Sequence, residues 1–107
     1  YIHGQRYWAI RHARLRMGCS GLKHHLFKIG VSDTPMCSCG SGIEDIFHYF
    51  FVCPKYTPHR IKLHNIVITL APLTLTTLLY GSKDCSIEQN IQIFSAVQEF
   101  IQNSKRF

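Results

Sequence analysis

Apolar residues recur every three or four positions along most of this chain, which is the period of an amphipathic α-helix. In residues 1–17, Trp8, His12 and Leu15 recur at this spacing, and basic side chains lie on a neighbouring face. The pattern predicts a first helix, over residues 1–17, with an apolar side and a basic side.

A second, shorter helix is predicted over residues 22–29, where Leu22, Leu26 and Ile29 repeat at helical spacing. Gly30 follows directly, and glycine readily adopts the left-handed conformation that ends many helices. Residues 31–39 contain aspartate, threonine and proline in succession, which predicts a loop.

A third helix is predicted over residues 42–52. Ser41 and Glu44 have the spacing of a capping box, and an acidic residue in the first turn interacts favourably with the helix dipole. The helix should end before Cys53, because a residue that precedes a proline, here Pro54, is disfavoured in the helical conformation.

The second half of the chain predicts three more helical segments. Thr57 and the proline after it mark a helix start, and Pro72 stops that helix. Residues 73–80 include the alternation "LTLT" of a strand, but their leucine spacing and the absence of a partner strand favour a short helix closed by Gly81. A long final helix carries an apolar face formed by Ile87, Ile91, Phe94, Val97 and Ile101. The fold class is therefore all-α, with about five or six helices.

The length and charge of the chain indicate how many domains it forms and what kind of partner it binds. A chain of 107 residues that is 46% hydrophobic fits one domain, residues 1–107, with a modest core. The net charge of +6 predicts an anionic partner, with nucleic acid favoured over an acidic membrane face. Six basic residues precede the first acidic residue of the chain: Arg6, Arg11, Arg14, Arg16, Lys23 and Lys28. We predict that these residues contact phosphates. The alternative is that they form a solvated helix face.

The same sequence bears on location. No apolar run approaches the roughly 20 residues that cross a bilayer, and the start lacks a secretory signal. We therefore expect an intracellular protein, nuclear or cytoplasmic, without a membrane partner. The five cysteines cannot all pair internally, which favours a reducing compartment and metal binding over disulfides. Because the chain begins with Tyr1, we also expect it to be a piece of a larger protein.

Side chains that can bind a metal are concentrated in the segment "CSCGSGIEDIFHYFFVC", residues 37–53. Cys37, Cys39, His48 and Cys53 provide four ligands, the number that a structural zinc site requires. On a continuous α-helix His48 and Cys53 would point about 140° apart, but the proline after Cys53 allows its sulfur to turn back. A structural Zn²⁺ site is therefore predicted, with buried free thiols and a disulfide as the alternatives.

Three segments resemble the C-terminal zinc-binding region of reverse transcriptases from non-LTR (LINE-type) retrotransposons. These segments are "RLRMGCSGLKHHLFKIG", "DTPMCSCGSGIEDIFHYFFVCPKY" and the closing "FSAVQEFIQNSKRF". The resemblance implies the same four zinc ligands, an upstream reverse transcriptase domain in the same polyprotein, and template RNA or target DNA as the partner during target-primed reverse transcription. Where many members of that family carry a histidine, this chain has Cys19.

The chain itself is not expected to be an enzyme. Its only adjacent acidic residues are Glu44 and Asp45, and its six acidic residues are too scattered for a two-metal nuclease site. We therefore expect a binding module in which zinc holds basic helices in place for nucleic acid. The alternative is a zinc-stabilised module that docks proteins through an apolar patch formed by Ile43, Phe47 and Phe51.

Overall fold

The computed structural model describes residues 3–18 and 21–107, with side chains from residue 7 onwards. Five α-helices are present in this part of the chain: α1 (His3–Arg16), α2 (Lys23–Lys28), α3 (Thr57–Ile68), α4 (Leu75–Tyr80) and α5 (Ile87–Ser104). A π-helical turn (His48–Val52) and a 3-10 turn (Pro54–Tyr56) precede α3. Among these residues there is no β-strand, only an isolated antiparallel bridge between Met36 and Ile43. The all-α prediction is confirmed.

Helix α5 is the centre of the fold, because α1, α3 and α4 all pack against it. Its N-terminus has a complete capping box, in which Ser86 and Gln89 each accept a hydrogen bond from the other's backbone N–H. The face that α5 buries comprises Ile93, Ala96, Val97, Phe100 and Ile101. The predicted inclusion of Ile87 and Ile91 in the buried face was wrong: these residues are 81% and 57% exposed, although they continue the apolar period of α5.

Helix α1 packs on α4 through polar contacts as well as through its apolar face. Leu15 is fully buried, as its spacing predicted. The buried His12 donates from Nε2 to the backbone carbonyl of Leu78, at 2.9 Å. Arg16 donates from Nε to the backbone carbonyl of Leu79, at 2.7 Å. Two side chains of α1 therefore bind the carbonyls at the end of α4, which have no partners within that helix.

The helix predicted over residues 42–52 begins later than expected, at residue 46. Its first turn is capped by Asp45, whose carboxylate accepts a hydrogen bond from the backbone N–H of His48 at 2.7 Å. The capping box of Ser41 and Glu44 was wrong, because Glu44 is buried and its carboxylate binds other parts of the chain. Residues 41–44 instead close the loop that starts at Pro35, whose carbonyl accepts from the Glu44 N–H.

The ambiguous segment at residues 73–80 is a helix. Thr74 caps α4 by accepting a hydrogen bond from the backbone N–H of Thr77. Gly81 ends it with φ of 77°, and a Cβ there would lie only 2.7 Å from Oδ1 of Asn90, so no other residue fits without displacing that side chain. Within the described residues, no helix combines the length and the apolar character that a membrane span requires.

Candidate metal centre

The four predicted ligands converge on one point. One ligand atom from each of Cys37, Cys39, His48 and Cys53 lies within 4.8 Å of the other three. Two residues come from the loop before the π-helical turn, one begins that turn, and one directly follows it. The arrangement is compatible with a metal site in the loop-and-helix unit that the sequence predicts.

The loop around Cys37 and Cys39 folds back tightly enough to direct both thiols to this point. Cys37 donates its backbone N–H to the Gly42 carbonyl at 2.8 Å, and its own carbonyl accepts from the Gly40 N–H at 3.0 Å. Gly40 has φ of 79°, a conformation that side chains disfavour. Glycine at this position therefore allows the tight turn after Cys39.

The π-helical turn explains how His48 and Cys53 reach the same point. The backbone N–H of Cys53 donates to the His48 carbonyl at 2.8 Å, a hydrogen bond between residues five apart. Such a turn is wider than an α-helical one and brings residues five positions apart towards the same side. Cys53 itself is extended, with ψ of 121°, as expected before Pro54. The sequence indicated the end of the helix but not its wider turn.

Two separations within the cluster are close to those of a tetrahedral metal centre, and all the others are at most 4.8 Å. Sγ of Cys37 and Sγ of Cys53 are 3.7 Å apart, and Sγ of Cys39 lies 3.3 Å from Nε2 of His48. A tetrahedral site with Zn–S bonds of about 2.3 Å has ligand atoms about 3.8 Å apart. A disulfide requires about 2.05 Å. The disulfide alternative is therefore not present: Cys37, Cys39, Cys53 and Cys85 are all free thiols.

Solvent access differs between the ligands. Cys37, His48 and Cys53 are at most 5% exposed, whereas Cys39 is half-buried and faces Ser41. The Ser41 hydroxyl and backbone N–H bind the Cys39 sulfur and lower the pKa of its thiol to about 6. Burial has the opposite effect on Cys53 and raises its pKa to about 11. The same cluster therefore contains one thiol with a lowered pKa and one with a raised pKa.

Two residues that the sequence analysis did not predict as part of the metal centre contact the ligand segments. The buried Arg60 donates from Nε to the Phe50 carbonyl at 2.9 Å and from Nη2 to the Cys53 carbonyl at 2.7 Å. Glu44 places Oε2 3.8 Å from the Cys37 sulfur. A lone arginine after a Cys-Pro pair, and an acidic residue at an apparent helix start, carry no pattern that would have identified these contacts.

The six candidate phosphate contacts are in different environments. Arg14 and Lys28 are exposed, and Lys23 is half-exposed. The Arg11 guanidinium lies over the Tyr7 ring at 4.8 Å, and Arg16 bonds to α4 as described above. Arg6 lies outside the described side chains. Ion pairs in the described part of the chain are Lys62 with Glu99 and Arg106 with Glu44, so none of the five candidates described here forms a direct ion pair. The charge of Lys23 does interact with the Glu44 carboxylate.

The other possible metal ligands that the structure describes lie outside the cluster. His24 and His25 are half-buried on α2 and do not belong to it. Cys85 donates its Sγ hydrogen to the Leu70 carbonyl at 3.3 Å. Cys19 lies outside the described residues.

Comparison of the chain with protein-family models, with curated proteins and with solved structures finds no match.

Proposed function

We propose that this chain is a non-catalytic zinc-binding module that binds nucleic acid. The observation that carries the proposal is the convergence of three cysteines and one histidine in a chain whose N-terminal region is cationic. The metal would hold the loop of Cys37 and Cys39 against the π-helical turn. The basic residues of α1 and α2 would then be held on a rigid support.

Zinc is the metal that this ligand set favours. Thiolates select soft or borderline metals over magnesium or calcium, and a mixed set of three cysteines and one histidine is a common structural zinc site. Four protein ligands complete a tetrahedral shell and leave no position for a reactive water molecule. This supports a structural role for the metal and, with the scattered acidic residues, a module without its own catalytic centre.

Uncompensated positive charge supports nucleic acid as the partner. The chain has 12 lysines and arginines against six acidic residues, and α1 contains no acidic residue. Within the described part of the chain, Arg14 and Lys28 are exposed without an ion-pair partner. Exposed, unpaired cations attract the phosphates of nucleic acid, and their binding releases the counterions that surround those phosphates.

The resemblance to non-LTR reverse transcriptases supports a more specific proposal. We propose that the module belongs to a retroelement polyprotein with an upstream reverse transcriptase domain, and that it positions template RNA or target DNA for target-primed synthesis. The support is the order of the motifs in the sequence, from the arginine-rich segment through the cysteine pair to His48 and the Cys-Pro step after the turn.

Salt-dependent binding tests this function. Binding of labelled RNA and DNA is measured between low and physiological salt for the zinc-loaded chain. Affinity should fall steeply with salt, and Arg14→Gln or Lys28→Gln should each reduce the slope of log K against log salt by about one. Lys83→Gln is the matched control, since Lys83 is exposed in the loop before α5. The absence of salt-dependent binding, or equal effects of all three variants, would refute the proposal.

A docking role for proteins is the second candidate, and one observation favours it. Of the predicted apolar patch, Ile43 and Phe47 are 44% and 53% exposed, whereas Phe51 is half-buried. Val52, next to Phe51, is 46% exposed, so apolar surface faces solvent in this segment. Apolar association is nearly independent of salt, unlike binding through phosphates. The salt titration therefore separates the two candidates.

A further inference from the structure

A groove beside the metal cluster has two walls of different chemistry. Its volume is about 270 Å³, close to the lower end of the range for small-molecule sites, and it lies between α2 and the segment that enters the π-helical turn. The wall from α2 presents His24, His25 and Lys28, and the opposite wall presents Asp45 and Phe47. One wall therefore carries two imidazole rings and an ammonium group, and the other combines an aromatic ring with a carboxylate.

Phe47 is the last ring of an aromatic column. Its ring stacks on Phe51 with centroids 5.0 Å apart and planes 24° from parallel. Phe51 in turn contacts the His64 ring, at 5.3 Å and 36°. Phe47 is 53% exposed and lines the groove. A flat ring bound there would extend the column by one member.

We propose that this groove binds one unpaired nucleotide of a single-stranded nucleic acid, with its base stacked on Phe47 and its phosphate facing Lys28. The inference rests on the proposed nucleic-acid function and adds a preference for single strands to it. Base stacking on an exposed aromatic ring beside a positive charge is the usual way in which proteins hold single strands without reading their sequence.

The charges of the groove set the orientation of the nucleotide. Asp45 repels a phosphate, so the phosphate belongs on the α2 wall, where Lys28 is exposed and the two histidines can donate hydrogen bonds. The base then lies on the wall of Phe47 and Asp45. One oxygen of Asp45 already accepts from the His48 N–H, which fixes the carboxylate in place.

The aromatic residues of α1 are less suitable for stacking. The Tyr7 ring has the Arg11 guanidinium over it and the Trp8 ring against it edge-on, with centroids 4.6 Å apart. Trp8 is half-buried and packs against the core. A base would have to displace these contacts, whereas Phe47 is 53% exposed and its ring contact among the described residues is with Phe51 alone.

The test compares variants on single-stranded and duplex oligonucleotides of matched length, with zinc-loaded chain throughout. Phe47→Ala should weaken binding of the single strand by about tenfold or more while leaving the salt slope unchanged, because stacking releases no counterions. Phe47→Trp should restore affinity, and its added fluorescence should be quenched by the single strand. Phe27→Ala is the matched control: Phe27 is 46% exposed on α2 and does not line the groove.

The outcomes separate this inference from the function on which it rests. A wild-type chain that binds with steep salt dependence, while Phe47→Ala and Phe27→Ala behave alike, would overturn the stacking site and leave the nucleic-acid function intact. Equal affinity of the wild type for duplex and single strand would also overturn it. If neither the wild type nor any variant binds nucleic acid, both the stacking site and the proposed nucleic-acid function are refuted. Zinc content and circular dichroism of Phe47→Ala confirm that the variant is folded.

Discussion

Arg106 and Glu44, 62 residues apart in sequence, form a bidentate ion pair. The Arg106 guanidinium donates from Nε to Oε2 at 3.0 Å and from Nη2 to Oε1 at 2.7 Å. Glu44 is 3% exposed and also accepts from the backbone N–H of Lys23, at 2.8 Å. Burial by itself would raise the pKa of Glu44, but the hydrogen bonds from Arg106 and Lys23 outweigh it and the pKa is lowered. The pair therefore connects the region after α5 to the start of α2 and to the loop that bears Cys37.

The first prediction concerns this ion pair. Glu44→Gln should lower the free energy of unfolding by about 3 kcal/mol, because it leaves the Arg106 charge partly buried without its partner. Urea denaturation of the zinc-loaded protein measures the change. We place the value at the lower end of the range for buried pairs because the Arg106 side chain remains 25% exposed.

The matched control for this prediction is the exposed pair of Lys62 and Glu99, whose side chains are 61% and 44% exposed. Glu99→Gln should change stability by less than about 1 kcal/mol, since solvent screens such pairs. Equal costs for Glu44→Gln and Glu99→Gln would contradict the structural role assigned to Arg106.

The second prediction concerns Arg60, which holds the carbonyls around the last ligand. Arg60→Lys keeps the positive charge but cannot reach the carbonyls of Phe50 and Cys53 with one planar group. We expect zinc affinity to fall by roughly 10- to 100-fold, as for other residues that orient metal ligands. Competition with a chromophoric chelator gives the affinity.

Arg14→Lys is the control for the second prediction, because Arg14 is exposed on α1. Its zinc affinity should equal that of the wild type. A drop in thermal stability of Arg60→Lys without a drop in zinc affinity would assign Arg60 to the core alone and not to the metal site.

The third prediction concerns the metal. The purified chain should contain one zinc per molecule, and removal of the zinc by a strong chelator should abolish much of the helical circular dichroism, since such sites contribute on the order of 10 kcal/mol to folding. Cobalt in place of zinc should give the absorption of a tetrahedral thiolate site. Cys39→Ser should lose the metal, whereas Cys85→Ser, outside the cluster, should keep it. A metal-free chain with full helicity would disprove the site.

The fourth prediction concerns pH and His12. Burial lowers the pKa of His12 below its ordinary value of 6.5, and the positive charge of Arg16 adds to this, although the hydrogen bond to the Leu78 carbonyl acts in the other direction. The unfolded chain therefore takes up a proton near pH 6.5 that the folded chain does not. Stability should be complete above this pH and should decrease as the pH falls below it.

His12→Gln provides the measurement for this effect. The free energy of unfolding of both proteins is followed from pH 7.5 to 5.5 with zinc present, and the variant should show the shallower decrease. His64, whose pKa burial also lowers, and the metal ligands contribute equally to both proteins and cancel in the difference. Parallel curves would show that His12 does not contribute to the pH dependence.

Local patterns were sufficient to predict most of the secondary structure. The period of the leucines predicted the helix at residues 75–80, and Pro54 predicted that Cys53 would be extended. The spacing of the cysteines and of His48 predicted which side chains would converge. These features depend on residues close in sequence, so the sequence alone contains the information that they require.

Features that depend on distant residues could not be predicted in this way. Glu44 has the spacing of a capping residue, but a buried ion pair with Arg106 stabilises it more than a place in the first turn would, and Asp45 caps the helix instead. Ile91 fits the apolar period of α5 but is exposed, because burial depends on which helices cover each turn.

The sequence by itself determined the helical fold class, the identity of the four converging ligands and the excess of positive charge, because periodicity, spacing and composition are local properties. Only the tertiary structure decided how the site is built and what surrounds it. It supplied the wider turn between His48 and Cys53, the contacts of Arg60 and the groove beside Phe47. The groove requires α2 to pack against the distant segment that enters the π-helical turn. The wider turn and the Arg60 contacts join residues only five to ten positions apart. His48, Phe50, Cys53 and Arg60 are all buried, however, so their placement depends on the packing of the whole fold.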